Sequence, residues 1–389
     1  MKYNFDAVID RRGSDAIKLV DVPEIWGKDD LLPLWVADMD FATPSYILDA
    51  IRKRLDHPII GYTRKCRNWG TSIVNWQKMR FGWDIKEEWL HFVPGIVPGI
   101  ACAVNCFTKP GDKVLIQTPV YHPYILVPKN NGREVVESPI SIVDDKMEID
   151  FDRFAEDAKG CKMFLLCHPH NPGGRVWTKA ELQKMAEICA KENILVVSDE
   201  IHADLTLPPY RHIPFAEVSE QASQISITLA SPSKAFNMAG LTSSYSIIPN
   251  DEIRECFHNF LESNDLSLGH TFAFLSVVAA YSNGTEWLDQ CLEYIQGNID
   301  YVGEMLRKEM PRIRMIRPQA SFLIFLDCTE LNLSHDELNS FFVDKAHLAL
   351  NDGEMFGTGG EGFMRMNIAA PRSVIEKAMQ QLKEAYQCL

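Results

Sequence analysis

Lys234 sits where a lysine is rarely found. A β-rich apolar run, Ile225 to Ala230, stops at Ser231-Pro232-Ser233, Lys234 follows at once, and Ala235-Phe236 turns apolar again. Lysines ordinarily occupy solvated faces. An amine held near apolar groups is partly neutral, because desolvation disfavours its charged form, and a neutral amine can form a Schiff base with an aldehyde. Other reactive side chains punctuate the chain in the same way, each just beyond a short apolar run. Tyr121 follows "KVLIQT" (113–118), and Asn171 with Gly173-Gly174 follows "KMFLLCH" (162–168). Asp199 and His202 come at the end of "NILVVSDE" and just beyond it, and Ser231, Ser233 and Lys234 follow "QISITLA" (224–230).

These runs are short and continuously apolar, as strands covered on both faces should be. They alternate with helical patterns, the signature of βαβ units and a mostly parallel sheet. Between the second and third runs, Thr178 with Glu181 makes a capping box. Leu182, Met185, Ala186 and Cys189 then fall at i, i+3, i+4 and i+7, one face of a helix. Downstream, Trp287 to Met310 reads as one long amphipathic helix. It is followed by "SFLIFLDC" (321–328), a helix near 334–347, "FMRMNIA" (363–369) and a last helix from Ser373. The expected architecture is α/β, with a large domain over 46–285. A smaller α+β domain would combine 1–45 with 286–389.

In open α/β sheets, ligands bind outside the carboxyl ends of the strands. An aromatic, an amide, a carboxylate, an imidazole, hydroxyls and an amine would therefore converge on one edge. Each alone has an ordinary structural role: Asn-Pro-Gly-Gly as a turn, Asp199 as a helix cap, Lys234 as a solvated loop residue. Together they suit pyridoxal 5′-phosphate (PLP). A carboxylate beside the pyridine nitrogen keeps it protonated, so that the ring can take up electrons from a carbanion. An aromatic can stack on the ring, an amide or imidazole can bond its phenolic oxygen, and hydroxyls can hold the phosphate.

With "NPGG" (171–174), "SDEIH" (198–202) and "SPSKAF" (231–236) in this order and spacing, the chain resembles the fold-type I PLP enzymes of the aspartate aminotransferase superfamily. The resemblance covers nearly the whole chain. It implies a mostly parallel seven-stranded sheet flanked by helices. Lys234 would carry the cofactor and shuttle protons, Asp199 would pair with the pyridine nitrogen, Asn171 would bond the phenolic oxygen, and Tyr121 would stack on the ring. Ser231 and Ser233 lie where the phosphate is bound, as do the amides of Ile96 and Val97 in the Gly-rich turn "PGIVPG" (94–99), which would open a helix. Arg365 in "MRMN" matches an arginine that grips the substrate α-carboxylate as a bidentate fork. The backbone at Ala37 would touch the same carboxylate. Tyr62 in "GYT" matches a tyrosine that reaches the phosphate of a neighbouring subunit, which implies a homodimer.

Two departures bear on the reaction. Aminotransferases of the superfamily usually show D-x-x-Y, whereas the fourth position here is His202, which would take over the contact to the phenolic oxygen. They also carry an arginine eight residues after the lysine, where this chain has Thr242. Both departures, together with "WVADMDF" (35–41), "WLDQCLEYIQGNIDY" (287–301) and "APRS" (370–373), are similar to the MalY/PatB group of cystathionine β-lyases and cysteine-S-conjugate C–S lyases. That resemblance implies α,β-elimination from sulfur amino acids to thiol, pyruvate and ammonia. Amino transfer on an L-amino acid is the alternative, since it shares the early steps. Members of the group also act as regulators that bind a protein partner, though no exposed motif here identifies one.

Composition sets the outer bounds. The chain has 389 residues, 46% of them hydrophobic, enough for a large core. Its formal charge of −14 is scattered, which argues against a nucleic-acid or anionic-membrane surface. No apolar run approaches ~18 residues, and the N-terminal stretch lacks a signal-peptide core, so a cytoplasmic location is expected. The ten cysteines include no C-x-x-C pair and read as reduced thiols. "CHPH" (167–170) offers three ligands too close in sequence to close a zinc tetrahedron without a distant fourth group, so no metal is expected.

Overall fold

The computed structural model describes residues 2–143 and 145–389. Met1 and Asp144, which fall within the expected small and large domains, lie outside the described residues. The strands, in chain order, are β1 (Leu32–Pro33), β2 (Leu90–Val93), β3 (Lys113–Ile116), β4 (Glu134–Glu137), β5 (Ser141–Val143), β6 (Lys146–Glu148), β7 (Cys161–Cys167), β8 (Leu195–Asp199), β9 (Ser226–Ala230), β10 (Ser244–Ile247), β11 (Arg314–Ile316), β12 (Leu323–Asp327), β13 (Leu348–Ala349), β14 (Asn351–Asp352) and β15 (Phe363–Asn367).

Seven of them form one sheet in the order β2-β10-β9-β8-β7-β3-β4. The pairs β9–β8, β8–β7, β7–β3 and β3–β4 are parallel, and β10 alone runs antiparallel to both its neighbours. Because β10 is reversed, β2 points the same way as the parallel strands, and its carboxyl end reaches the same edge. The central strands are apolar without alternation because helices cover both faces. All five residues of β9 are buried, as are all of β7 except Lys162. On one face, helix Ile96–Phe107 packs Ile100, Ala103 and Val104 against Val197, Ile227 and Leu229. On the other, helix Lys179–Lys191 buries Leu182, Met185, Ala186 and Cys189, the stripe read from the sequence.

That second helix starts as expected. The Thr178 side chain accepts from the Glu181 amide, and the Glu181 carboxylate accepts from the Thr178 amide at 2.6 Å. Thr178→Ala should therefore cost about 1 kcal/mol of stability without altering catalysis, measurable as a shift in denaturant midpoint at constant slope.

A four-stranded antiparallel sheet, β11-β12-β15-β14, packs with helices Thr285–Glu309 and Arg372–Tyr386. The N-terminal segment joins this part through β1, which pairs in parallel with β13. One expected element differs. The helix near 334–347 stops at Ser340, widens into a π turn over Phe341–Lys345, and gives way to β13 and β14. The wide turn buries Phe341 and Phe342 side by side, and a backbone reversal at His347 (φ 51°) starts the strands.

Candidate active site

The parallel strands deliver their reactive residues to one cavity of about 300 Å³, at the low end of the size of small-molecule sites. Lys234, Asp199, Asn171, Tyr121, His202 and Ser233 all line it, as do Ala37, Ile96 and Val97.

Lys234 lies in the turn after β9. Its Nζ donates to the Ala37 carbonyl at 2.6 Å. Burial pulls its pKa down to about 8, helped by the Arg365 guanidinium and opposed by Asp38 and Asp199. At pH 7 about a tenth of such an amine is neutral, several hundred times more than for a solvated lysine.

Asp199 ends β8. Its Oδ1 accepts from the Ile201 amide at 3.0 Å and its Oδ2 from the Tyr124 hydroxyl at 2.9 Å. Burial raises this carboxyl to about 6, while the two hydrogen bonds favour the charged form. Tyr124 is fully buried on helix Pro123–Asn130 and was not anticipated. The signal available was the Y-H-P-Y spacing, which returns a second tyrosine one helical turn after Tyr121. Tyr124→Phe removes a bond to the ionised form, so the acid limb of the activity–pH profile should move to higher pH.

His202 is buried, its Nδ1 has no partner among the described residues, and burial together with Lys234 and Arg365 pulls its pKa down to about 3. It is a neutral imidazole with an unused polar atom. Asn171 accepts from Arg365 Nη1 at 3.1 Å through Oδ1, and its backbone carbonyl accepts from the Tyr121 amide at 3.1 Å. The pair ties the turns after β3 and β7 together.

Arg365, on β15, is buried beside the cavity. It donates to Asn171, to the Asn351 side chain and to the Trp35 carbonyl, and lies 4.9 Å over the Phe356 ring. Among the described residues no carboxylate pairs with it, Nε has no partner, and burial lowers its pKa to about 10. A buried cation without a counter-ion is costly, and an entering carboxylate relieves that cost.

The segment 35–38 forms one wall through its carbonyls. Trp35 accepts from Arg365, Ala37 from Lys234, and Val36 and Asp38 both accept from Asn367 Nδ2 at 2.6 Å. Its side chains lock outward. Arg11 bridges Asp38 at 2.5 Å and Asp40 at 2.8 Å, and the buried Lys18 holds Asp40 at 2.7 Å. Asn351 and Asn367 were also missed by sequence reading, since each acts through contacts distant in the chain.

A helix N-terminus, able to hold an anion, closes the other end. Gly95 caps helix Ile96–Phe107 at φ 127°, where a Cβ would also press on the Pro98 ring at 3.2 Å. The first-turn amides of this helix, Ile96 and Val97 among them, have no intrahelical acceptor, and they meet the cavity with the positive end of the helix dipole. Thr242 lines the same end and contacts His270 Nε2 at 3.1 Å. The Ser231 hydroxyl, in contrast, is engaged inside the turn, accepting from the Ser233 amide and donating to the Ser243 carbonyl. Tyr62 stays outside this cavity. It is fully exposed and lines a separate open hollow with Leu268 and His270.

The model of the family "Aminotransferase class I and II" matches residues 79–382, all seven strands of the large sheet together with the Arg365 strand. The chain belongs to this family. Among curated relatives of this chain, cystathionine beta-lyase PatB of Bacillus subtilis (strain 168) is 39% identical over 98% of this chain and 99% of its own length. Two solved structures are similar throughout. Cystalysin from Treponema denticola, which contains pyridoxal 5′-phosphate, has a TM-score of 0.96 at 35% identity, covering all of both chains. The PLP-bound C-S lyase from Staphylococcus hominis has a TM-score of 0.92 at 34% identity, covering 99% of this chain and 98% of its own.

Proposed function

We propose that this chain is a PLP-dependent β-lyase that cleaves the Cβ–S bond of sulfur amino acids, giving a thiol, pyruvate and ammonia. The observation that carries the reading is a partly neutral Lys234 and a buried Asp199 lining one small cavity, with Arg365, unpaired with any carboxylate among the described residues, bonded to the cavity-lining Asn171. Likeness to lyases along the whole chain supports it.

The residues present fit the cofactor. The unpartnered His202 Nδ1 and the Asn171 side chain offer contacts to a phenolic oxygen. The amides of Ile96 and Val97 and the Ser233 hydroxyl would hold a phosphate, with Ser231 bracing that turn from within. Tyr121 would cover the ring face, and Asp199 would keep a proton on the ring nitrogen. When bound, the cofactor supplies an electron sink for the pair released at Cα. Arg365 grips the substrate carboxylate, which also comes within reach of the wall at Ala37. Lys234 would both carry the cofactor and take the proton from Cα. It is a base whose pKa near 8 suits neutral conditions. Breaking the Cβ–S bond then releases the thiol.

We further infer that the protein works as a homodimer in a reducing cytoplasm. Ile59, Ile60, Tyr62 and Leu268 form an exposed apolar face around the hollow that adjoins the cavity through the His270–Thr242 contact. From that face Tyr62 would reach the partner's phosphate. Among the described residues no helix is long and apolar enough to cross a membrane.

Amino transfer is the second reading, favoured by the family match and by a machinery common to both reactions as far as loss of the Cα proton. Purified enzyme supplied with cystathionine decides between them. Stoichiometric pyruvate and thiol support the lyase, whereas exchange that requires an added keto acid supports the transferase. Absence of both would point to a protein-binding module. Arg365→Lys, which keeps the charge but loses the fork, should lower kcat/KM by about 10²-fold, mostly through KM.

A further inference from the structure

Six of the ten cysteines are buried, but two others meet at the surface. Cys106, the penultimate residue of helix Ile96–Phe107, and Cys256, midway along helix Asp251–Ser263, place their sulfurs 3.6 Å apart. The sulfur of Cys106 also lies 3.7 Å from the Cys256 carbonyl. The next residues along each helix hold the pair in register. Phe107 and Phe257 stack with ring centroids 6.3 Å apart, and Ile253 and Phe260 pack into the same cluster. A disulfide needs sulfurs at about 2.05 Å, so the 3.6 Å pair must close by about 1.5 Å, within reach of side-chain rotation while the stacked phenylalanines hold the helices together.

We propose that Cys106 and Cys256 form a reversible disulfide by exchange with a low-molecular-weight disulfide, stapling these two helices under oxidising conditions. The two sulfurs differ in the way such exchange requires. Cys256 is exposed and meets the oxidant first. Its thiolate attacks one sulfur of RSSR, the S–S bond breaks, and the leaving thiolate takes up a proton as RSH. Cys106 is half-covered, and burial with the neighbouring thiol pushes its pKa up to about 12, so it stays protonated until a mixed disulfide stands beside it. It then loses its proton, attacks the Cys256 sulfur and expels the second RSH. Two protein thiols are oxidised by two electrons, and one RSSR is reduced to two RSH.

The staple leaves the active site alone. Ten residues separate Cys106 from Ile96, about 15 Å along the helix, so the amides facing the cavity keep their places. Its effect falls on the scaffold, where it closes a loop of some 150 residues in the unfolded chain and restricts that chain's freedom.

The experiment exposes purified holoenzyme to oxidised glutathione, quenches with an alkylating agent and maps peptides without reduction. The expected product is a Cys106–Cys256 cross-link, reversed by dithiothreitol, with turnover unchanged. The cross-linked form should unfold several degrees above the reduced form. Cys106→Ser should arrest with glutathione on Cys256, and Cys256→Ser should give no cross-link and no rise in midpoint. Cys388, exposed near the C-terminal end, is the internal comparator and should stop at the glutathione adduct. A wild-type protein whose Cys256 remains free, or stops at the adduct as Cys388 does, overturns the proposal. Equal midpoints with and without the cross-link would overturn its stapling role.

Discussion

Lys234→Ala should reduce kcat for elimination by ~10⁴-fold or more, the upper range for removing a positioned acid–base group, because in the proposed function the same amine also carries the cofactor. The change should not act through the fold. The folded protein holds this lysine near pKa 8, below the ordinary value of 10.5, so in the protein without cofactor its charged form opposes folding. That cost is fully present below pH 8 and fades as pH rises toward 10.5. Removing the side chain lifts it, and the cofactor-free variant should unfold at neutral pH no earlier than the parent. Pyruvate release and thermal unfolding measured on one preparation separate the two effects. A variant that kept more than a few per cent of activity would remove Lys234 from the mechanism.

Asp199→Asn is the second large effect. The amide has the shape of the carboxylate, so its oxygen can still accept from Tyr124 or Ile201 and the end of β8 should keep its place. What it loses is the negative charge that, in the proposed function, holds a proton on the ring nitrogen, and with it the electron sink. A decrease in kcat of roughly 10³-fold is expected, the size of losing one preorganised electrostatic partner, with KM moving far less. Asp199→Glu, which restores the charge half an arm too long, should recover part of the loss. Equal activity in Asp199→Asn and the parent would show that the ring nitrogen needs no acid.

The sheet and most of its edge were legible because the code for a buried parallel strand is local. Unbroken apolar runs bounded by Pro, Gly and polar residues mark both the strand and the place where its carboxyl end must emerge. Lys234, Asp199 and Asn171 each stand at such an end, and they do share one cavity. Arg365 sits within a strand, and only its resemblance to a carboxylate-gripping arginine singled it out. Its setting was not legible, since Asn351 comes from a two-residue strand, too short to show a period, between the expected helix near 334–347 and "FMRMNIA". Tyr124 looks like an ordinary apolar helix residue until the fold swings its hydroxyl onto Asp199. Lys18 reads as a solvated cation, yet it is buried against Asp40, because only the folded chain brings four opposed charges together. Contacts between residues tens or hundreds of positions apart leave no period to read.

The carbonyl of Trp35 occupies a guanidinium donor that, in the proposed function, the substrate carboxylate also requires. Before an amino acid arrives, Arg365 is partly satisfied by the Trp35 carbonyl. Admission of substrate is thus a swap of acceptors rather than the filling of an empty socket. Any molecule lacking a carboxylate offers the guanidinium nothing better than the peptide oxygen it already has, so amines stripped of that group should be turned away at the door even when their sulfur end fits.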